Sequence, residues 1–146
     1  MREFNIKADL ESVKSIREKY DKLSAQGKKL KETLLVYLQS NEVNLNPIIE
    51  NEIIIFNLLG FIFRVKTETS WTKESPWFTI GELNLYLVQR ESTLNETEKV
   101  ILSYDFDSIG NINGHYLIEG FSKFLYRDFV NSLIGYCSDN SIKFAL

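Results

Sequence analysis

VKSIREKYDKLSAQGKKLKETLLVY, residues 13–37, is the stretch on which the fold turns. Val13, Ile16, Tyr20, Leu23, Gly27, Leu30, Leu34 and Tyr37 follow one another at spacings of 3, 4, 3, 4, 3, 4 and 3. That is the seam of a long amphipathic helix, and such a seam must bury one face on something. Asp9 can serve as N-cap, and Asn41 with the Asn46-Pro47 pair gives the stop signals. The helix is therefore expected from about Ala8 or Asp9 to between Gln39 and Asn41, within a helical segment 1–40. Gly27 leaves two readings open: one continuous helix in which the glycine lets another element approach closely, or a helical hairpin broken at Gln26-Gly27. The unbroken register across it favours one helix, since a helical glycine costs only about 1 kcal/mol.

Beyond the seam the periodicity changes from helical to alternating. EIIIFNLLGFIFRVKTET, from Glu52, reads as one long strand bent at Gly60 or as two short strands turning there. The segment TETSWTKESP, residues 67–76, reads as a loop. WFTIGELNLYLVQR then alternates, with Gly81, Leu83, Leu85 and Leu87 on one face and Glu82, Asn84, Tyr86 and Val88 on the other. ESTLNETE, 91–98, reads as a polar turn before the alternating KVILSYDF, and a short strand is expected around Ile109–Ile112. Ile118, Phe121, Leu125, Phe129, Leu133 and Tyr136 form the stripe of a last helix over 115–138. The fold class that follows is α+β in a single domain, 1–146. A long N-terminal helix leads into an antiparallel meander of three to four strands over 48–112, and a C-terminal helix packs on the sheet.

Composition bounds the rest. With 44% hydrophobic residues the chain can build a real core, and two prolines and seven glycines argue against a linker-rich chain. One cysteine cannot form an internal disulfide, and the charged start lacks the apolar run of a signal peptide. IIIFNLLGFIF, residues 53–63, is too short to span a bilayer. A cytoplasmic protein that does not engage membranes is expected. Residues 1–40 carry nine Lys/Arg and six Asp/Glu, whereas 41–146 carry eight and fourteen, a split of +3 and −6. Such polarity suits an acidic face for a basic partner and disfavours direct nucleic-acid binding.

Signals for chemistry are sparse. His115 is the single histidine, and Cys137 lies 22 residues on. Opposite ends of one helix would put them about 33 Å apart, too far for a nucleophile and its base. Cys137 is better read as a small core residue. Zinc normally draws on several Cys and His, so no metal site is expected. Asp105-x-Asp107 starts like a calcium loop, but Ile109 and Tyr116 stand where its fifth and twelfth ligands belong. The glycine-rich phosphate loops are absent as well, and no cofactor is expected.

The candidate site is instead a docking surface. Trp71 and the acidic residues Glu74, Glu91, Glu96 and Glu98, with Glu68 beside them, fall in neighbouring turns. Aromatic anchors with a charged rim are what protein interfaces use, Trp as anchor and carboxylates for steering. The expected function is non-catalytic protein binding by a monomer or weak homodimer. Size and charge are of the kind common among bacterial immunity proteins, which neutralise a toxin, and a basic toxin or effector domain is the expected partner. A secretion or assembly chaperone, or a small enzyme without a recognisable motif, is the alternative. Pairing of the heptad between chains is opposed by Arg17, Lys19 and Lys31, all positive at its flanks.

Overall fold

The seam folds as one helix. In the computed structural model, which describes residues 6–72, 75–92, 95–112 and 123–140, α1 runs unbroken from Ile6 to Gln39. Gly27 lies inside it and faces the sheet: a Cβ there would stand 3.1 Å from the Phe106 ring and 3.2 Å from Thr67 Cβ. The glycine thus permits close approach, as the continuous reading of the helix requires.

The buried stripe does not follow the heptad throughout. Leu23, Leu30 and Leu34 are buried, but at the C-terminal end Leu38 takes the fully buried place and Tyr37 is only half-buried. At the N-terminal end Val13 and Tyr20 are 61% and 52% exposed, while Ile16 and Lys19 are half-covered. A straight helix lags a strict seven-residue repeat by about 20° per heptad. Packed on a sheet, with no supercoil to absorb that lag, the contact line slides to the flanking positions occupied by Lys31 and Leu38. Lys31 is accordingly buried.

Five strands follow, β1 (Ile48–Glu50), β2 (Ile53–Leu58), β3 (Phe61–Thr72), β4 (Ser75–Ser92) and β5 (Asn95–Phe106). They form one antiparallel meander in the order β1-β2-β3-β4-β5. The stretch around Gly60 is two strands, not one bent strand. Leu58 pairs with Phe61 across Leu59-Gly60, whose φ values are 52° and 89°. Asn51-Glu52 closes β1–β2 in the same way with φ of 51° and 64°. Positive φ at both central residues is the backbone twist that two-residue hairpins favour.

Two expected turns are largely strand, and one expected strand is not. Within 67–76, β3 continues to Thr72 and β4 begins at Ser75. Within 91–98, β4 reaches Ser92 and β5 begins at Asn95. Polar residues there read as loop, yet strand pairing continues to Thr72–Ser75 and to Ser92–Asn95. Around Ile109–Ile112 the expected strand is a single bridge between Phe106 and Ile112. Asp107 holds that turn: one carboxylate oxygen accepts the backbone N–H groups of Ile109, Gly110 and Asn111, and the other accepts Asn111 Nδ2. Burial raises the Asp107 pKa, but these bonds outweigh it and hold the carboxyl below its usual range.

Helix α2 spans Lys123–Asp139. His115 and the stripe residues Ile118 and Phe121 lie outside the described residues, whereas Phe129 and Leu133 are buried. Both helices cover the same face of the sheet. Its inward side chains, among them Ile54, Phe56, Phe63, Val65, Leu83, Leu85, Leu87, Tyr104 and Phe106, form one core with the α1 leucines and α2. Tyr126 of α2 stacks on Tyr37 of α1 at 4.8 Å, and the Tyr104 hydroxyl donates to Asp128 of α2 at 2.7 Å. Cys137 is a buried core residue on α2, and burial pushes its thiol pKa up. No helix among the described residues is long and apolar enough to cross a membrane.

Candidate functional site

Alternation along β3, β4 and β5 puts the second set of side chains on the face the helices leave uncovered. Arg64, Lys66 and Glu68 of β3 register with Tyr86, Asn84 and Glu82 of β4. Beyond a bulge at Leu85/Tyr86, β4 sets Val88 against Glu98 and Arg90 against Glu96 of β5.

These side chains form one connected array. Arg64 Nη1 lies 2.5 Å from Glu96 and 3.2 Å from Glu98, reaching across β4. Lys66 Nζ contacts Glu98 at 2.7 Å and stands 5.1 Å over the Tyr86 ring. The Tyr86 hydroxyl donates to Glu68 at 2.5 Å. Asn84, nearly fully buried between its neighbours, accepts from Ser103 at 2.6 Å and donates to Glu82 at 3.3 Å. Burial raises the Glu98 pKa, but Lys66 and Arg64 outweigh it and hold the carboxyl below its usual range. Burial, with the hydrogen bond and charge of Glu68, pushes the Tyr86 phenol up to about 12. Glu68, Glu82, Glu96, Glu98 and Asp105 stand against Arg64, Lys66 and Arg90, so across β3, β4 and β5 this face carries more carboxylates than cations among the described residues. Ile48 of β1 and Val100 of β5 add exposed aliphatic surface on either side.

The residues expected to form one docking patch are split by the topology. Glu96 and Glu98 sit together on β5, and Glu91 is near them in β4, its side chain outside the described residues. Trp71 is in β3 opposite Thr79, and its side chain is likewise outside the described residues. Glu74 itself lies outside them. From Thr79 to Arg90 is eleven steps of strand, about 36 Å. Trp71 and the Glu96–Glu98 pair therefore occupy opposite ends of the β3–β4 ribbon. Glu96 and Glu98 are also already ion-paired. Sequence reasoning missed Arg64 and Lys66 as their partners, and Tyr86 as the partner of Glu68. The available signal was the spacing of Arg64, Lys66 and Glu68 at every second residue of one strand.

A second feature lies at the sheet's edge. β2 stops pairing with β3 at Ile54–Val65, so from Lys66 onward β3 has only β4 beside it among the described residues. A cleft of about 330 Å³ opens there between β3, the β1–β2 turn and α1. Lys31, 7% exposed, lines it and donates to the Glu52 carbonyl at 2.8 Å. No group of three or more metal-binding side chains occurs among the described residues.

No protein-family model, curated protein or solved structure matches this chain.

Proposed function

We propose that this chain is a binding protein that acts without catalysis and engages a protein partner over the uncovered face of its sheet. The observation that carries the reading is the array from Arg64 to Glu98, a face with more carboxylates than cations and apolar flanks at Ile48 and Val100. Interfaces gain affinity from apolar contact and gain on-rate from charge complementarity. Hydrogen bonds from Arg64, Lys66, Asn84 and Tyr86 fix the carboxylates in place, so little side-chain freedom remains to be lost on binding.

The partner class that fits is a basic domain. In the finer form of this reading the partner is a toxin or effector whose basic site the acidic face covers, as an immunity protein would. The excess of acid beyond residue 40, −6 overall, supports that choice. The test uses the partner co-purified from the native source, with association kinetics at low and high salt. Reversal of Glu82 and Asp105 to Lys should slow association and flatten its salt dependence, because steering is screened over about 8 Å at physiological ionic strength. An association rate indifferent to salt and to both reversals would remove the uncovered face from the interface.

A further inference from the structure

We propose that the cleft between α1 and the free edge of β3 holds the C-terminal end of an extended polypeptide, added antiparallel to Lys66–Thr72 with its carboxylate on the Lys31 ammonium. Four observations converge on that occupant.

The first is the charge. Lys31 is nine-tenths buried and lines the cleft, yet the backbone carbonyl of Glu52 is its one hydrogen-bond partner among the described residues, and no carboxylate there pairs with it. An ammonium carries three donors, and a buried one without a counter-ion is costly. A carboxylate in the cleft supplies both the charge and the missing acceptor.

The second is the edge. Beyond Val65 the main-chain N–H and C=O groups on one side of β3 have no strand beside them among the described residues. An unpaired edge is a template for another strand.

The third is what closes the cleft. An added strand would be collinear with β2, and the Asn51-Glu52 turn stands across its path. A strand coming from the Thr72 end runs antiparallel to β3 and must stop at that turn, beside Lys31. A chain terminus fits that geometry; an internal segment would have to bend away.

The fourth is the surroundings. Residues 17–31 of α1 carry six Lys/Arg and two Asp/Glu, a surplus of four positive charges along the helix that flanks the cleft. The nearby Glu68 carboxylate is bonded to Tyr86 on the other face of the sheet. This site is separate from the acidic uncovered face, and its success or failure leaves that reading untouched.

The test presents the full chain with a random library of N-acetylated heptapeptides bearing free C-termini, and in parallel with the same library amidated at the C-terminus. Enrichment from the free-acid library alone is expected. A selected peptide should lose about 10- to 100-fold in affinity on amidation, the worth of one charge-assisted hydrogen bond. Lys31→Met should cost a similar factor. Amide NMR shifts on titration should concentrate at Lys66–Thr72 and the facing turns of α1. The acid-for-amide comparison on the unmodified protein decides the matter even if Lys31→Met fails to fold. Enrichment indifferent to amidation, shifts confined to other strands, or no enrichment at all would overturn the proposal. Amidated peptides with an internal Asp or Glu that bind equally well would overturn the terminal carboxylate as the recognised group.

Discussion

The two faces of this sheet are built from the same strands by the same alternation, yet they hold different chemistry. The inner face carries Phe56, Phe63, Leu83, Leu85 and Phe106 under two helices. The outer face carries Arg64, Lys66, Tyr86, Glu96 and Glu98, with no helix over it among the described residues. Inside, energy comes from area removed from water, at about 25 cal/mol per Å². Outside, exposed ion pairs are worth about 0–1 kcal/mol each. Stability should therefore reside on the inner face, while the outer face is left free for recognition. Substitutions on the two faces should differ accordingly.

The largest effect is expected where α1 meets the core. Leu34 is fully buried, and Leu34→Ala should cost about 2–5 kcal/mol in urea unfolding. Val13 belongs to the same heptad seam but is mostly exposed, so Val13→Ala should stay within about 0.5 kcal/mol. Equal losses at the two positions would mean that the seam is buried along its whole length, against the drift described for α1.

That pair also marks how far the sequence could be read. The type and order of α1, the strands from Ile53 onward and α2 were legible, because a 3.6-residue period and a 2-residue period leave different marks; the three-residue β1 was too short to show a period, and the strand expected around Ile109–Ile112 is a single bridge. The continuity of α1 through Gly27 was legible from register. The rotation of its buried stripe was not, because a heptad read from sequence does not say whether the helix supercoils or lies straight. Lys31 accordingly read as a flanking charge and is in fact nine-tenths buried. The candidate site suffered differently. Trp71 and Glu96 are close in sequence only through a ribbon that carries them to opposite ends, and pairing register is a property of two strands together.

The next effect tests how tightly the inner face is packed. Gly81 of β4 lies directly against the Phe106 ring, and a Cβ at that position would overlap it. Gly81→Ala should cost about 1–3 kcal/mol, the usual penalty of overpacking. Gly27→Ala meets the same ring at 3.1 Å but gains helix propensity of about 1 kcal/mol, so its net change should be much smaller. Phe106→Leu in the Gly81→Ala background should recover part of the loss, a coupling measurable by a double-mutant cycle. Simple addition of the two single changes would show that the ring does not meet residue 81.

A smaller effect of opposite sign belongs to neither face. Leu59 is exposed, makes the first central position of the β2–β3 turn, and has a φ of 52°. A left-handed backbone costs an ordinary side chain about 1–2 kcal/mol, and Asn tolerates it better. Leu59→Asn should therefore stabilise by about 0.5–1 kcal/mol in thermal unfolding. A loss of stability would mean that the Leu59 side chain makes a contact outweighing its backbone strain.

The smallest effect belongs to the outer face and depends on pH. Glu98 has a folded-state pKa held below the usual 4.5 because Lys66 and Arg64 together outweigh its burial. Its stabilising contribution is therefore complete above the unfolded-state pKa and is lost as pH falls through the lower folded-state value. Below both values the two states bind the same proton and the contribution vanishes. Glu98→Gln removes this titration, so stability should fall by no more than about 1 kcal/mol at pH 7, discounted for the solvent that reaches the pair. The variant and the parent should then converge as pH drops from about 5 toward 3. High salt should shrink the difference at pH 7 in the same way, since an exposed pair is screened. The Leu34→Ala deficit should persist across that pH range, because no titrating group is involved. A Glu98→Gln loss as large as that of Leu34→Ala, and constant with pH, would show that the outer array supports the fold as much as the core does, and the division of labour between the two faces would fail.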